Sequence, residues 1–287
     1  MRPDNLNTKI FLDGADPDQT RDILDRLGFL DGQTTNPSLV AKNPQAQQHV
    51  KTDGTFQKEE LLGFYKKVIQ EISSLIPEGS VSIEVYADSN TTAQAMIDQG
   101  TQMFDWIPNA HIKCPTTTAG LEAANRLIAA GKRVNMTLCF TQEQAAAVYT
   151  ATQGAKPGDV FVSPFIGRLD DRNQRGLDLI ANILKMYSPG DGHVEVLAAS
   201  VRSLDHFLNC LKLNPDIVTV PHNVLVDWAD AGMPVPTDPV RVPARLAPII
   251  YQNIALDKPW QDYNIMHDLT DSGMAKFASD WNNLITA

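Results

Sequence analysis

A lysine stands inside a short apolar run, His111-Ile-Lys-Cys-Pro115, where a buried strand is expected to hand over to a helix. A lysine forced into an apolar interior loses proton affinity and becomes an amine nucleophile. Taken singly, Lys113 reads more simply as a cation that snorkels or marks a strand edge. It is not single. Asp13 lies in the first β-rich run, Asn36 in the Thr34–Ser38 end of the second, and Glu84 in the third. Asn135 and Thr137 share one face of the fifth at period two, Ser163 and then Arg168 follow the sixth, and Ser200 and then Arg202 the seventh. Each has an ordinary structural role by itself: helix caps for Asp13 and Ser200, a satisfied hydroxyl for Thr137, a surface charge for Arg168 beside Asp170 and Asp171. Burying Asp13, Glu84 and Lys113 apart from one another would cost several kcal/mol each, so seven consecutive polar strand ends imply one shared polar site.

The residue types suggest a chemistry. A buried lysine condenses with a ketone to a Schiff base, whose iminium is an electron sink for cleaving the neighbouring carbon–carbon bond. A carboxylate must move protons for dehydration of the carbinolamine and release of the aldehyde. Arg168 and Arg202 present forked donors suited to a phosphate, with Ser200 as a further donor. The six histidines are scattered with no metal-ligand spacing, and structural roles suffice for His111 and His222, so neither a metal nor a cofactor is expected.

The elements that must position these groups alternate from end to end. KIFLDGA at 9–15 precedes the amphipathic DPDQTRDILDRLG, and the same strand-then-helix rhythm continues through Gln33–Thr35, VSIEVYA, HIKCP, RVNMTLCF, DVFVSPF, HVEVLAAS and PDIVTV. Helices are expected near 57–76 and around 172–187. Eight such units, joined by right-handed crossovers, close into a single (β/α)8 barrel, with a doubly wound open sheet as the alternative. No GxGxxG or P-loop fingerprint supports a nucleotide-binding open sheet. One α/β domain is expected over 1–287, with the barrel at about 8–231 and a C-terminal helical extension at about 232–287, Pro-rich at 232–245 and ending in a helix near 269–286. The polar segment from Lys42 to Thr55 holds no apolar period and reads as a long βα-loop.

Bulk properties narrow the partners. Twenty-four basic against 34 acidic side chains leave a net charge of −10, which disfavours nucleic acid and anionic membrane surfaces. No segment approaches the apolar run of about 18 residues that a membrane span needs. Cys114, Cys139 and Cys210 form no CxxC pair and fit a reducing compartment, so a cytoplasmic protein is expected.

The motifs FLDGAD at 11–16, TTNPSLV at 34–40, SIEVYAD at 82–88, IKCPTT at 112–117, NMTLCF at 135–140, SPFIGRLDD at 163–171 and ASVR at 199–202 are spread along the chain from the first strand-like run to the seventh. In that order they resemble the transaldolases and the related fructose-6-phosphate aldolases, Schiff-base enzymes on an α/β barrel. The resemblance implies Lys113 as the Schiff-base lysine, Asp13 as the acid/base at the C4 hydroxyl, and Glu84 with Thr137 around a proton-relaying water. It implies Asn36, Asn135 and Ser163 at the dihydroxyacetone moiety or orienting the lysine, and Arg168, Ser200 and Arg202 at the phosphate of a sugar-phosphate substrate. The aldolase subgroup carries Gln in place of Glu84 and Tyr in place of Phe165, so this pair favours transfer over cleavage and adds Phe165 to the substrate-binding residues. The resemblance thus implies a transferase of the pentose phosphate pathway. Aldolase-type cleavage and a catalytically silent sugar-phosphate binder are the alternatives. In the shorter branch of the family the C-terminal helix packs on a neighbouring subunit, which raises a homo-oligomer held through 269–286 beside monomeric and dimeric forms.

Overall fold

The computed structural model describes residues 2–237 and 245–285. Among them, eight parallel strands form a closed barrel: β1 (Lys9–Asp13), β2 (Gly32–Thr34), β3 (Ser80–Glu84), β4 (Ala110–Pro115), β5 (Val134–Cys139), β6 (Val160–Pro164), β7 (Val194–Ala198) and β8 (Ile217–Pro221). Each strand pairs with the next, and β8 returns to β1 through Lys9↔Ile217 to Asp13↔Pro221. Between and after them run α1 (Pro17–Leu27), α2 (Pro37–Lys42), α3 (Pro44–Thr52), α4 (Lys58–Leu75), α5 (Ala93–Phe104), α6 (Thr118–Ala129), α7 (Gln142–Ala151), α8 (Ile166–Asp171), α9 (Gly176–Tyr187), α10 (Leu204–Leu213), α11 (His222–Asp230) and α12 (Asp268–Asn282). No helix among the described residues is long and apolar enough to cross a membrane.

Local chemistry sets these boundaries. The strands are short apolar runs covered on both faces, as parallel strands under helices must be. Asp16, Thr92, Thr117, Thr141 and Ser203 cap α1, α5, α6, α7 and α10, each side-chain oxygen accepting from a first-turn backbone N–H. Below the site, the floor of the barrel is closed by Phe161, which meets Phe11 edge-on at 6.0 Å and stacks on His111 at 4.0 Å. His111 hydrogen-bonds Ser80 Oγ and Gly158 O, and burial holds its pKa at about 3, so it serves as a neutral core group.

The register brings the polar residues into line. Glu84 lies opposite Lys113 across β3 and β4, and Lys113 lies opposite Asn135 across β4 and β5. Between Met136 and Cys139 the β5–β6 register shifts, and Leu138 sits there at φ 58°. A leucine in the left-handed region stores strain of about 1–3 kcal/mol, which persists only where its surroundings enforce it. Thr270 Oγ1 donates to Leu138 O at 2.9 Å and helps to hold the bulge.

The Lys42–Thr55 segment, expected as a loop, is mostly helical: α2 runs to Lys42 and α3 spans Pro44–Thr52. Asn43 caps α3 by accepting from Gln45 N and Ala46 N, while its amide donates to Ala15 O at 2.7 Å. Pro44 pre-sets the first helical turn. The helix buries only Ala46, which is why no apolar period marked it.

Of the Pro-rich stretch at 232–245, residues 238–244 lie outside the described residues. From 245 to 267 the chain runs along α7 and α9 as a strap. Gln142 pins Ile250 and Gln252, Asn182 donates to Ile249 O, and Arg175 N donates to Ala247 O. The helix α12 then crosses the mouth of its own barrel against α2 and β5. Phe56 N donates to Leu284 O at 2.7 Å, and Trp281 meets Tyr65 edge-on at 5.8 Å.

Candidate active site

At the C-terminal ends of the strands lies a cleft of about 390 Å³, the place where barrels of this kind carry chemistry. Asp13, Asn36, Lys113, Ser163, Phe165, Arg168, Ser200 and Arg202 all line it. Glu84, Asn135 and Thr137 form the buried layer beneath. The structure therefore gathers at one mouth every residue singled out by type and spacing.

Lys113 is only 3% exposed, and its Nζ lies 3.1 Å from Glu84 Oε2 and donates to Thr35 O at 3.2 Å. Burial raises the proton affinity of the Glu84 carboxyl, and the facing ammonium of Lys113 offsets this only in part. The Glu84 backbone is itself held: its N–H donates to Tyr65 Oη at 3.1 Å. Tyr65 Oη and Thr35 Oγ1 are 2.5 Å apart, and Thr35 Oγ1 donates to Ser82 O at 2.8 Å. Because the threonine proton is used on Ser82, the tyrosine donates to the threonine. This buried chain fixes both the Thr35 carbonyl that receives Lys113 and the strand carrying Glu84.

Asp13 accepts from Thr34 Oγ1 at 2.8 Å, with Thr219 Oγ1 2.6 Å beyond. Its pKa is raised by burial, against the opposing pull of Lys113, the Thr34 hydrogen bond and Lys42. On the other side, Ser163 Oγ donates to Asn135 Oδ1 at 2.6 Å, and Asn135 Nδ2 donates to Ser82 Oγ at 3.0 Å, which orients the amide. Asn36 caps α2 through Oδ1 to Leu39 N at 3.0 Å. The Thr137 hydroxyl is fully buried and makes no hydrogen bond within the described residues.

One wall is cationic. Arg202 holds Asp171 at 2.8 Å, whereas Arg168 is half-buried and faces the rings of Phe165 and Phe277. Desolvation, and then the neighbouring Arg202, pull the Arg168 pKa down. The loop bearing Ser200 approaches α8 closely because residue 167 is glycine: a Cβ there would stand 2.2 Å from Ser200 O. Ser200 itself is left-handed at φ 65°.

Several lining residues escaped sequence reasoning. Lys42 belongs to α2, and Lys276, Phe277 and Asp280 to α12, whereas Ser38, also in α2, lies in the polar Thr34–Ser38 end already noted. Asp280 accepts from Ser38 Oγ and pairs with Lys276, so the last helix is fastened to the second. Thr34, within the TTNPSLV run, was marked by its sequence; α12 was expected as a helix near 269–286, but no local pattern placed it at the cleft. Among the described residues no cluster of His, Cys, Asp and Glu has the makings of a metal site.

A family model described as Transaldolase/Fructose-6-phosphate aldolase matches residues 10–287. A "probable transaldolase" of Dehalococcoides mccartyi is 34% identical over 276 residues, covering 96% of this chain and 99% of the relative. Another, from Cereibacter sphaeroides, is 39% identical over 244 residues, covering 79% of this chain and 98% of the relative.

Proposed function

The chain belongs to the transaldolase/fructose-6-phosphate aldolase family, and from that premise we propose that it transfers a dihydroxyacetone unit between sugar phosphates through a Schiff base on Lys113. The donor is a ketose phosphate such as fructose 6-phosphate or sedoheptulose 7-phosphate. The acceptor is an aldose phosphate, erythrose 4-phosphate or glyceraldehyde 3-phosphate. The observation that carries this reading is the buried Lys113–Glu84 pair at 3.1 Å, opening into a cleft shared with Asp13 and two arginines.

The steps follow from these positions. Lys113 must lose a proton before its lone pair attacks the C2 ketone, and Glu84 is the nearest carboxylate to take it. The carbinolamine loses its hydroxyl as water, with the proton supplied through Glu84 and a water held by the Thr137 hydroxyl. Asp13 then removes the C4 hydroxyl proton, the C3–C4 bond breaks, and its electrons flow into the iminium to give an enamine. The aldehyde leaves with the phosphate that Arg168, Ser200 and Arg202 bind. An acceptor aldehyde enters, the enamine carbon attacks its carbonyl, and Asp13 returns the proton to the new alkoxide. Hydrolysis of the iminium frees Lys113 and the product ketose. Asn135, Ser163 and Asn36 hold the three-carbon unit in place meanwhile.

Transfer, as against cleavage, requires that the enamine survive unprotonated until an acceptor arrives. Phe165 and Phe277 supply apolar surface around the cleft mouth, which favours that outcome, and Glu84 with Phe165 is the pair the transferase branch carries.

The deciding experiment is intact-protein mass spectrometry after sodium borohydride reduction with fructose 6-phosphate, followed by peptide mapping. A reduced three-carbon adduct on Lys113, absent in Lys113→Met, is the expected result. An unmodified chain despite measured substrate binding would refute the Schiff base. Coupled assays with and without erythrose 4-phosphate then separate transfer from cleavage: turnover that needs no acceptor would mean an aldolase.

A further inference from the structure

We propose that the C-terminal helix α12 positions the phosphate-binding arginine, with Gly273 forming the seat and Phe277 one wall that hold the Arg168 guanidinium toward the cleft. The inference rests on the phosphate role given to Arg168 above and adds which residues set its reach. Arg202, the neighbouring cation, is anchored by its ion pair with Asp171 at 2.8 Å. Arg168 has no hydrogen bond or ion pair among the described residues, and a long unpaired side chain loses rotamer freedom each time it binds an anion. What restrains it is aromatic: its guanidinium carbon lies 5.6 Å from the Phe165 ring and 5.8 Å from the Phe277 ring. Cations over ring faces at such distances are held electrostatically while their N–H groups stay free to donate.

Gly273 is an independent sign of the same arrangement. A Cβ on residue 273 would stand 2.7 Å from Arg168 Nη1 and 2.6 Å from Leu138 Cδ2, so the helix passes so close to the guanidinium that any larger residue would displace it from this position. Glycine in the middle of a helix weakens it, and this close approach gives the residue a reason to be there. The helix is in turn registered on the site. Asp280 accepts from Ser38 Oγ on α2, and Thr270 Oγ1 donates to Leu138 O at 2.9 Å. Residues about 100 positions after Arg168 thus set its geometry.

The test uses the full-length chain, with inorganic phosphate affinity measured by calorimetry and kinetics measured with fructose 6-phosphate and with unphosphorylated fructose. Phe277→Ala is expected to weaken phosphate binding about tenfold, the scale of a desolvated cation–ring contact. The ratio of kcat/KM for fructose 6-phosphate to that for fructose should fall by a similar factor, chiefly through KM. Taking the ratio cancels losses that damage to the fold would impose on both sugars. Phe277→Tyr should restore both readouts, and Gly273→Ala, which displaces the guanidinium instead of removing a wall, should reproduce the loss. If Arg168→Ala collapses phosphate affinity and the ratio while Phe277→Ala and Gly273→Ala leave them at wild-type values, the helix does not position the arginine. If Arg168→Ala itself changes neither, the phosphate role of Arg168 is wrong and the proposal falls with it.

Discussion

Asp13 is a carboxylate kept where it is uncomfortable: burial raises its pKa above the ordinary 3.8, and Lys113, Thr34 and Lys42 offset the shift only in part. As the proposed base at the C4 hydroxyl it would work ionised, so kcat/KM should rise with pH along an acidic limb lying above 3.8, and a limb at or below that value would contradict the assignment. Stability runs the other way. A raised pKa means that the folded chain binds the proton more tightly than the unfolded one, so this group's contribution is greatest at low pH and is lost as pH rises through the folded value. Asp13→Asn should therefore lower kcat by about 10²–10⁴. It should also melt about 2 °C higher than wild type at pH 8, an advantage that closes toward pH 4, as calorimetry at both pH values would reveal. The Thr137 hydroxyl, buried with no partner in the described residues, gives the complementary case. Thr137→Val removes the proposed water ligand at nearly constant volume, so turnover should drop about tenfold or more while the melting temperature scarcely moves.

Short elements set the cationic wall proposed to bind phosphate. The helix α8 and the loop after β7 meet at Gly167, where any Cβ would lie 2.2 Å from Ser200 O and 2.6 Å from Arg202 Nε. Backbone cannot yield as a flexible side-chain tip does. Gly167→Ala should push the Ser200–Arg202 loop outward, raise KM for phosphorylated substrates about tenfold and cost about 1–3 kcal/mol in urea denaturation. An unchanged KM would mean that this loop does not bind the phosphate. The bulge in β5 plays a matching part beside it: the shifted register and the left-handed Leu138 let Thr137 face the buried layer while Leu138 meets α12.

Across the whole molecule, the barrel mouth is completed by the far end of the chain. Gln144, fully buried in α7, accepts from Phe140 N and Thr141 N, and its amide donates to Ile265 O and Thr270 Oγ1, joining the β5–α7 turn to the strap and the start of α12. Gln144→Ala leaves those groups unpaired, which should cost about 2–4 kcal/mol and speed proteolysis between residues 245 and 267; unchanged cleavage would show the strap is held by other contacts. The barrel and its polar strand ends were legible in the sequence, since short β-rich runs and capped amphipathic helices are local signals. Closing eight parallel strands necessarily brings their C-terminal ends to one mouth, so Asp13, Glu84, Lys113 and Arg202 converge however far apart they lie in the chain. The helix α3 was illegible because it buries only Ala46 and so carries no apolar period. Lys276, Phe277 and Asp280 were illegible for a different reason. Their place in the site depends on how the strap lays α12 across α2 and β5, a packing between segments more than 100 residues apart that no local pattern encodes. The sequence by itself determined the eight strand-then-helix units and the polar residues at their ends; the tertiary structure alone decided which wall closes over them, because docking of a helix is settled by long-range contacts.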